Sequence, residues 1–175
     1  MSNFEIIFIS GVHGVGKSSL CSRINQKFGL PFYSASSLIR EVKKSEVDVN
    51  KQVVDAENNQ DYLIMALDNL NPQSEKILLD GHFCLNDSDG FFDINIKTFQ
   101  AMRLRSILVL HDIAEKIHQR LLKRDGKSLS AETIHSLQTR ELELAKFTAN
   151  ELNVKLQTVS YEEALENLNW IETLL

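Results

Sequence analysis

Cysteine, proline and positive charge are all scarce in this chain. It has 175 residues, with two cysteines, two prolines and a formal net charge of −5. Two cysteines cannot build the disulfide framework of a small secreted protein, so Cys21 and Cys84 are expected to be reduced, buried thiols. The negative charge argues against a broad nucleic-acid-binding surface, so a nucleic-acid partner is not expected.

Long apolar runs and targeting signals are missing as well. No segment approaches the roughly 20 apolar residues that a membrane-spanning helix needs. The apolar segment near the N-terminus has no basic residues ahead of it, so it does not predict a secretory signal. These absences predict a cytoplasmic protein without a membrane segment. The length and the 43% hydrophobic content suit one domain with a real core, over residues 1–175.

The chain does carry a glycine-rich phosphate-binding motif. Residues 11–18 read Gly-Val-His-Gly-Val-Gly-Lys-Ser, which fits the P-loop pattern Gly-x-x-x-x-Gly-Lys-[Ser/Thr]. The apolar, β-branched run at 4–9 before it is typical of a buried strand. A helical stripe of apolar residues follows it, at Leu20, Ile24 and Phe28. Strand, loop and helix therefore occur in the order that the motif requires.

The residue types of this loop explain the chemistry that it predicts. Glycines allow the backbone to turn and to present N–H groups to phosphate, and the following helix adds its positive N-terminal end. Lys17 is expected to reach the β- and γ-phosphates of ATP, and Ser18 to bind Mg²⁺. His13 fills a variable position and is expected to lie near the phosphates rather than to act as a base. The predicted nucleotide contacts are Gly11, His13, Gly14, Val15, Gly16, Lys17, Ser18 and Ser19.

Buried strands alternate with helices along the rest of the chain. Strands are predicted at 4–9, 30–34, 76–80, 105–110 and 153–159, and helices at 34–44, 53–70, 96–102, 113–123, 130–152 and 161–174, with a polar loop at 45–51. This alternation predicts an α/β fold of the P-loop NTPase type, a three-layer sandwich with a central five-stranded parallel sheet. Three small additions are expected: a helical excursion at 35–70, a hairpin at 82–95 and a short lid loop at 124–130.

Two residues at the end of the third strand, Asp80 and His82, add to the candidate site. Asp80 ends an apolar strand, which matches the position where P-loop proteins place a carboxylate that helps to hold Mg²⁺. The alternative is an aspartate that only caps a turn, and the P-loop upstream favours the magnesium role. His82 has two open interpretations: it orders the attacking group or a magnesium-bound water, or it is a hydrogen-bonded core histidine under the hairpin.

Basic residues cluster on the helix predicted at 113–123 and beyond it. Arg120 and Arg124 are four residues apart and share a helix face. A guanidinium stays charged and donates two parallel hydrogen bonds to a phosphoryl group. A solvated helix surface is the ordinary explanation for such charges. The cluster follows a buried strand, however, at the sheet edge that binds ligands in α/β proteins.

Taken in order, these motifs resemble the nucleoside monophosphate kinases, and especially the short-lid adenylate kinase-like proteins of archaea and the eukaryotic nucleus. The resemblance covers nearly the whole chain. It implies that Arg40 holds the acceptor phosphate, that Asp80 assists Mg²⁺, and that Arg120 and Arg124 flank the lid and contact the transferring phosphoryl group. It also implies that Arg140 points into the same site. The Gly-Asp pair that this family carries before Leu-x-Arg is replaced here by two serines, at 36 and 37.

The sequence therefore predicts a kinase that uses ATP and Mg²⁺ as cofactors and transfers phosphate to a small acceptor. The favoured acceptor is a nucleoside monophosphate. The substrate-binding residues would be Arg40, His82 and Arg140. A rival from another class is a switch or assembly ATPase that acts on a protein partner through the 82–95 hairpin, and a third possibility is a kinase of a non-nucleotide hydroxyl. A monomer and a homodimer are both compatible with the sequence.

Overall fold

A parallel sheet forms the centre of the molecule, as a computed structural model describes it for residues 4–49, 59–87 and 90–175. Its five strands are β1 (Glu5–Ser10), β2 (Phe32–Ser34), β3 (Lys76–Asp80), β6 (Leu104–His111) and β7 (Lys155–Ser160), while β4 and β5 form the separate hairpin described below. All five are parallel, and their spatial order is β2-β3-β1-β6-β7. The predicted α/β fold of the P-loop NTPase type, with its central five-stranded parallel sheet, is confirmed.

Helices cover both faces of this sheet. They are α1 (Lys17–Phe28), α2 (Ala35–Val49), α3 (Asn59–Asn69), α4 (Ile96–Ala101), α5 (Ala114–Asp125), α6 (Ala131–Leu152) and α7 (Tyr161–Glu166). Successive residues of β1 enter opposite cores: Ile7 and Ile9 pack into one, and Ile6 and Phe8 into the other. Side chains alternate between the faces of a strand, so a strand that is apolar throughout supplies both cores.

Some helix boundaries differ from the predicted ones. The helix predicted to end at 44 continues to Val49, because no glycine or proline interrupts it, and the loop predicted from 45 was wrong there. The helix predicted at 53–70 is observed from Asn59, and positions 53–58 lie outside the described residues. The last predicted helix stops at Glu166 and is followed by a 3₁₀ turn over Asn169–Thr173.

The predicted hairpin is present as a small separate sheet. Strand β4 (Cys84–Asp87) runs antiparallel to β5 (Gly90–Asp93), while the tip at 88–89 lies outside the described residues. Phe83 anchors its first strand in the core, in edge-to-face contact with Phe8 at a ring separation of 5.2 Å. In the described parts of the chain, no helix is long and apolar enough to cross a bilayer.

Candidate active site

The loop between β1 and α1 has the backbone of a phosphate cradle. Gly16 caps α1 with a φ of 113°, a conformation that residues with a side chain rarely adopt. A Cβ atom at Gly16 would lie 2.4 Å from Cε2 of Tyr161, so packing also requires glycine there. The N-terminal end of α1, with its free N–H groups and positive dipole end, follows this glycine and suits a phosphate.

Lys17 is the buried cation of the site. Its side chain is 7% exposed, and its ammonium group donates to the carbonyl oxygens of Gly11 at 2.6 Å and Val12 at 3.3 Å. It also lies 3.7 Å from Oδ1 of Asp80 and 3.5 Å from Nε2 of His82. Burial lowers the pKa of Lys17, and the nearby Asp80 opposes that shift. The ammonium group that the motif assigns to the phosphates therefore lies buried beneath the glycine loop.

Ser18, in the first turn of α1, meets Asp80 at the carboxyl end of β3. Because β1 and β3 are neighbours in register, with Ile9 opposite Asp80, the two strand ends share one edge of the sheet. The Ser18 hydroxyl donates to Oδ2 of Asp80 at 2.9 Å. A hydroxyl and a carboxylate are oxygen ligands of the type that Mg²⁺ prefers. In the described residues no three His, Cys, Asp or Glu side chains are grouped to hold a metal, so magnesium here would also need phosphate oxygens.

The two predicted arginines of α5 occupy different positions. Arg120 is braced inside the cleft: it donates to the carbonyl oxygens of Gly14 at 2.9 Å and Val15 at 3.1 Å, and its guanidinium lies 4.5 Å from the ring centre of Tyr161. Arg124 lies at the mouth, where it donates to Nε2 of His13 at 2.8 Å and pairs with the neighbouring Asp125. Both guanidinium groups thus face the glycine loop.

These groups line one cleft of about 500 Å³ at the carboxyl end of the sheet. Parallel α/β sheets bind ligands at this edge. The lining residues are His13, Gly14, Gly16, Lys17, Ser18, Ser19, Ser34, Ala35, Ser36, Ile39, Asp80, Gly81, His82, Leu85, Arg120, Leu121, Arg124 and Tyr161.

His82 lies in this cleft as a neutral side chain. Burial, and then the charge of Lys17, lower its pKa to about 3, so the imidazole carries no proton charge near neutral pH. It lines the cleft and contacts Lys17, and its predicted role toward the attacking group stays a prediction.

Four predicted site residues do not line the cleft. Gly11 and Val15 form the buried underside of the loop. Arg40 is exposed on α2, one residue beyond Ile39, which does line the cleft. Arg140 points to the hairpin instead, because its guanidinium bonds to Asp93 and, at 3.2 Å, to Glu143. The roles predicted for Arg40 and Arg140 stay predictions, and the structure does not bring either side chain to the cleft.

Three residues that the sequence reasoning did not single out support the site. Asp112 accepts a hydrogen bond from Arg120, and Tyr161 stacks on the same guanidinium. Asp112 directly follows β6 and Tyr161 directly follows β7, at the ligand-binding edge of the sheet, and this position is a signal that could have found them. Glu141 is 1% exposed on α6. It interrupts the apolar stripe formed by Ile134, Leu137 and Ala145, and a charged residue in such a stripe is its only sequence signal.

Comparison with known proteins gives a family match and many structural matches. A family model described as an AAA domain matches residues 10–138. A gluconokinase from Sinorhizobium meliloti 1021 has a similar structure, with a TM-score of 0.55 and 17% sequence identity, over 99% of this chain and 95% of that one. At this identity the likeness concerns the fold. No curated protein sequence matches the chain.

Proposed function

Because the chain belongs to the AAA domain family, we propose that it is an ATP-dependent phosphotransferase that acts on a small acceptor. The observation that carries the proposal is the cleft itself, where Lys17, Arg120 and Arg124 surround a glycine cradle beside the Ser18–Asp80 pair. Phosphoryl transfer depends on positioning and charge neutralisation more than on covalent chemistry by the protein, and this set of groups supplies both.

Each group has a role that its position supports. Loop N–H groups and the start of α1 would hold the β-phosphate. A phosphate there offers the Lys17 ammonium a charged acceptor in place of the carbonyls of Gly11 and Val12. Ser18 and Asp80 would hold magnesium, which neutralises charge on the phosphate oxygens. Arg124, at the mouth, would close on the outer phosphate oxygens together with the short lid.

The acceptor side of the cleft supports a hydroxyl compound without a phosphate of its own. The cations of the described lining come from the glycine loop and α5, whereas β2, α2 and the hairpin present Ser34, Ser36, Ile39 and Leu85. A phosphate group buried there without a cation would lose hydration and gain no charged partner. Hydroxyl and apolar side chains suit a neutral or weakly charged polyol or nucleoside. The proposed acceptor is therefore an alcohol.

Two other functions have one observation each in their favour. A nucleoside monophosphate acceptor is favoured by Arg40, which follows the lining residue Ile39 and could turn its guanidinium toward the acceptor. The AAA domain description and the gluconokinase do not name such a kinase, so this narrower resemblance stays a proposal. A switch ATPase is favoured by the hairpin, where Phe91 is 46% and Phe92 is 38% exposed.

One experiment separates these functions. ADP release from Mg-ATP is measured with no acceptor, with nucleosides, polyols and sugar acids including gluconate, and with nucleoside monophosphates. We expect a hydroxyl compound to stimulate ADP release. We expect Arg40→Ala to leave the KM for that acceptor unchanged, and the matched control Lys44→Ala, at an exposed position on the same helix, to do the same.

The other outcomes are distinct. Stimulation by a nucleoside monophosphate, with an acceptor KM that Arg40→Ala raises by a factor of about ten or more, would establish the monophosphate kinase instead, since hydrogen bonds to charged groups are the strong ones. Rapid basal hydrolysis that no acceptor stimulates would favour the switch ATPase.

A further inference from the structure

One buried carboxylate joins the phosphate-binding loop to the hairpin. Oε1 of Glu141 accepts hydrogen bonds from the backbone N–H groups of Gly11 at 3.2 Å and Phe83 at 2.9 Å. Oε2 accepts from the N–H of Cys84 at 2.8 Å. Gly11 is the first residue of the glycine loop, and Phe83 and Cys84 begin the hairpin. A single side chain of α6 therefore holds two segments that are distant in sequence.

A carboxylate fits these three donors, because both of its oxygen atoms accept hydrogen bonds. Two oxygen atoms accept three N–H groups, whereas an amide in the same place would turn its NH₂ group toward at least one of them. Burial raises the pKa of Glu141, and the three N–H bonds and the charge of Lys17 oppose that shift. A charged hydrogen bond of this kind is stronger than a neutral one, which suits a fixed brace.

The same connections form a closed circuit around the cleft. Lys17 donates to the carbonyl oxygen of Gly11, the residue whose N–H binds Glu141. On the other side, Lys17 lies against His82, whose neighbour Phe83 donates to the same oxygen of Glu141. The loop, Lys17 and the start of the hairpin are therefore joined both through Glu141 and through His82.

The hairpin end of this circuit forms part of the cleft. Strand β4 carries Leu85, which lines the acceptor side, directly after Cys84. The second hairpin strand is tied to α6 as well, because Arg140 bonds to Asp93. Adjacent residues of α6 thus hold both strands of the hairpin, and Glu141 also holds the loop.

We propose that Glu141 is a positioning residue that couples occupancy of the phosphate-binding loop to the placement of the hairpin wall of the acceptor site. Its catalytic part rests on the proposed phosphotransferase function, while the coupling itself needs only nucleotide binding. Nucleotide at the loop would fix Gly11, and through Glu141 the N–H groups of Phe83 and Cys84.

The test is amide hydrogen exchange at Phe83 and Cys84, with and without magnesium and a non-hydrolysable ATP analogue. In the wild type we expect the analogue to slow exchange of both amides by about tenfold, the scale of one charged hydrogen bond. In Glu141→Gln we expect the analogue to bind more weakly and to leave these two amides unprotected. The matched control is Glu151→Gln, an exposed position on the same helix, which should behave like the wild type.

Steady-state kinetics add a measurement, because a residue that only stabilised the fold would leave the KM values unchanged. With the acceptor found above, Glu141→Gln should raise both the KM for ATP and the KM for the acceptor. A rise of only one of the two, or a fall in thermal stability with both constants unchanged, would overturn the proposal.

The wild-type exchange measurement decides the matter even where the variant fails to fold. If the bound analogue leaves Phe83 and Cys84 unchanged in the wild type, Glu141 couples nothing and the proposal is wrong. If the amides respond but no acceptor is ever phosphorylated, the coupling stands and the phosphotransferase function fails.

Discussion

At the scale of single residues, the charge of Lys17 can be removed with little change of shape. Methionine keeps most of the buried stem, so Lys17→Met should fold, but the cleft loses the cation that faces the phosphates. We expect ADP release to fall about a hundredfold or more, since one such charge stabilises the transition state by roughly 3 kcal/mol. The measurement is ADP release together with thermal unfolding. Lys27→Met, an exposed position of α1, is the control, and wild-type turnover in folded Lys17→Met would contradict the assignment.

Asp80 is a second residue whose charge can be separated from its shape. Asp80→Asn can still accept the hydrogen bond of Ser18, but it loses the negative charge that favours Mg²⁺. We expect the magnesium concentration for half-maximal activity to rise by about tenfold, the scale of one charged ligand, while nucleotide binding without metal changes little. Titration of Mg²⁺ against ADP release measures this, with the exposed Asp61→Asn as control. An unchanged magnesium requirement would leave Asp80 as a turn residue.

Residue types at the loop were predictable, and long-range partners were not. The P-loop pattern names Lys17 and Ser18, and a carboxylate at a strand end names Asp80, because motif and strand position both restrict the residue type. Glu141 was missed because most glutamates on an amphipathic helix face solvent, and only the folded chain shows the three N–H groups that it accepts. Arg140 was assigned to the site, but its guanidinium bonds to Asp93, a pairing that spacing does not reveal.

At the scale of elements, the turn from β1 into α1 depends on glycine at one point. Gly16→Ala would force a residue with a side chain into a φ of 113° and against the ring of Tyr161. We expect it to abolish nucleotide binding, measured with a fluorescent ATP analogue. Gly29→Ala is the matched control, because Gly29 also has a positive φ, of 70°, but no atom lies near its missing Cβ. That control should lose about 1 kcal/mol of stability and no affinity.

If both alanine variants bind the analogue alike, the close approach of Tyr161 to Gly16 has no bearing on the cradle.

The positions of the elements were largely predictable from the sequence, since β1, β3 and β6 are apolar runs between helical stripes. Their ends were less readable: α2 passes its predicted end because helix termination depends on breakers that the segment lacks.

At the scale of the whole molecule, His82 makes stability depend on pH. Its pKa is about 3 in the folded protein and about 6.5 in an unfolded chain, so between these values only the unfolded chain binds the proton. Folding stability therefore falls as the pH is lowered through this range. Between about pH 7.5 and pH 5 the loss attributable to this group is about 2 kcal/mol. Other titrating groups add to the total change.

The variant His82→Gln isolates this contribution. We expect its free energy of unfolding to decrease less than that of the wild type between the two pH values, as measured by denaturant titration. His135→Gln, at an exposed histidine, should lose as much stability as the wild type. An equal loss in the wild type and in His82→Gln would show that His82 titrates normally.

The burial of both cysteines has a kinetic consequence. Cys21 lies in α1 under the glycine loop and Cys84 in the hairpin, and burial raises the pKa of each thiol. Alkylating reagents attack accessible thiolates, so each sulfur reacts only while its own surroundings are open. The two labelling rates therefore separate detachment of the hairpin from unfolding of the sheet. Alkylation of Cys84 ahead of Cys21 would mean that the hairpin detaches from the core while the glycine loop and α1 remain folded.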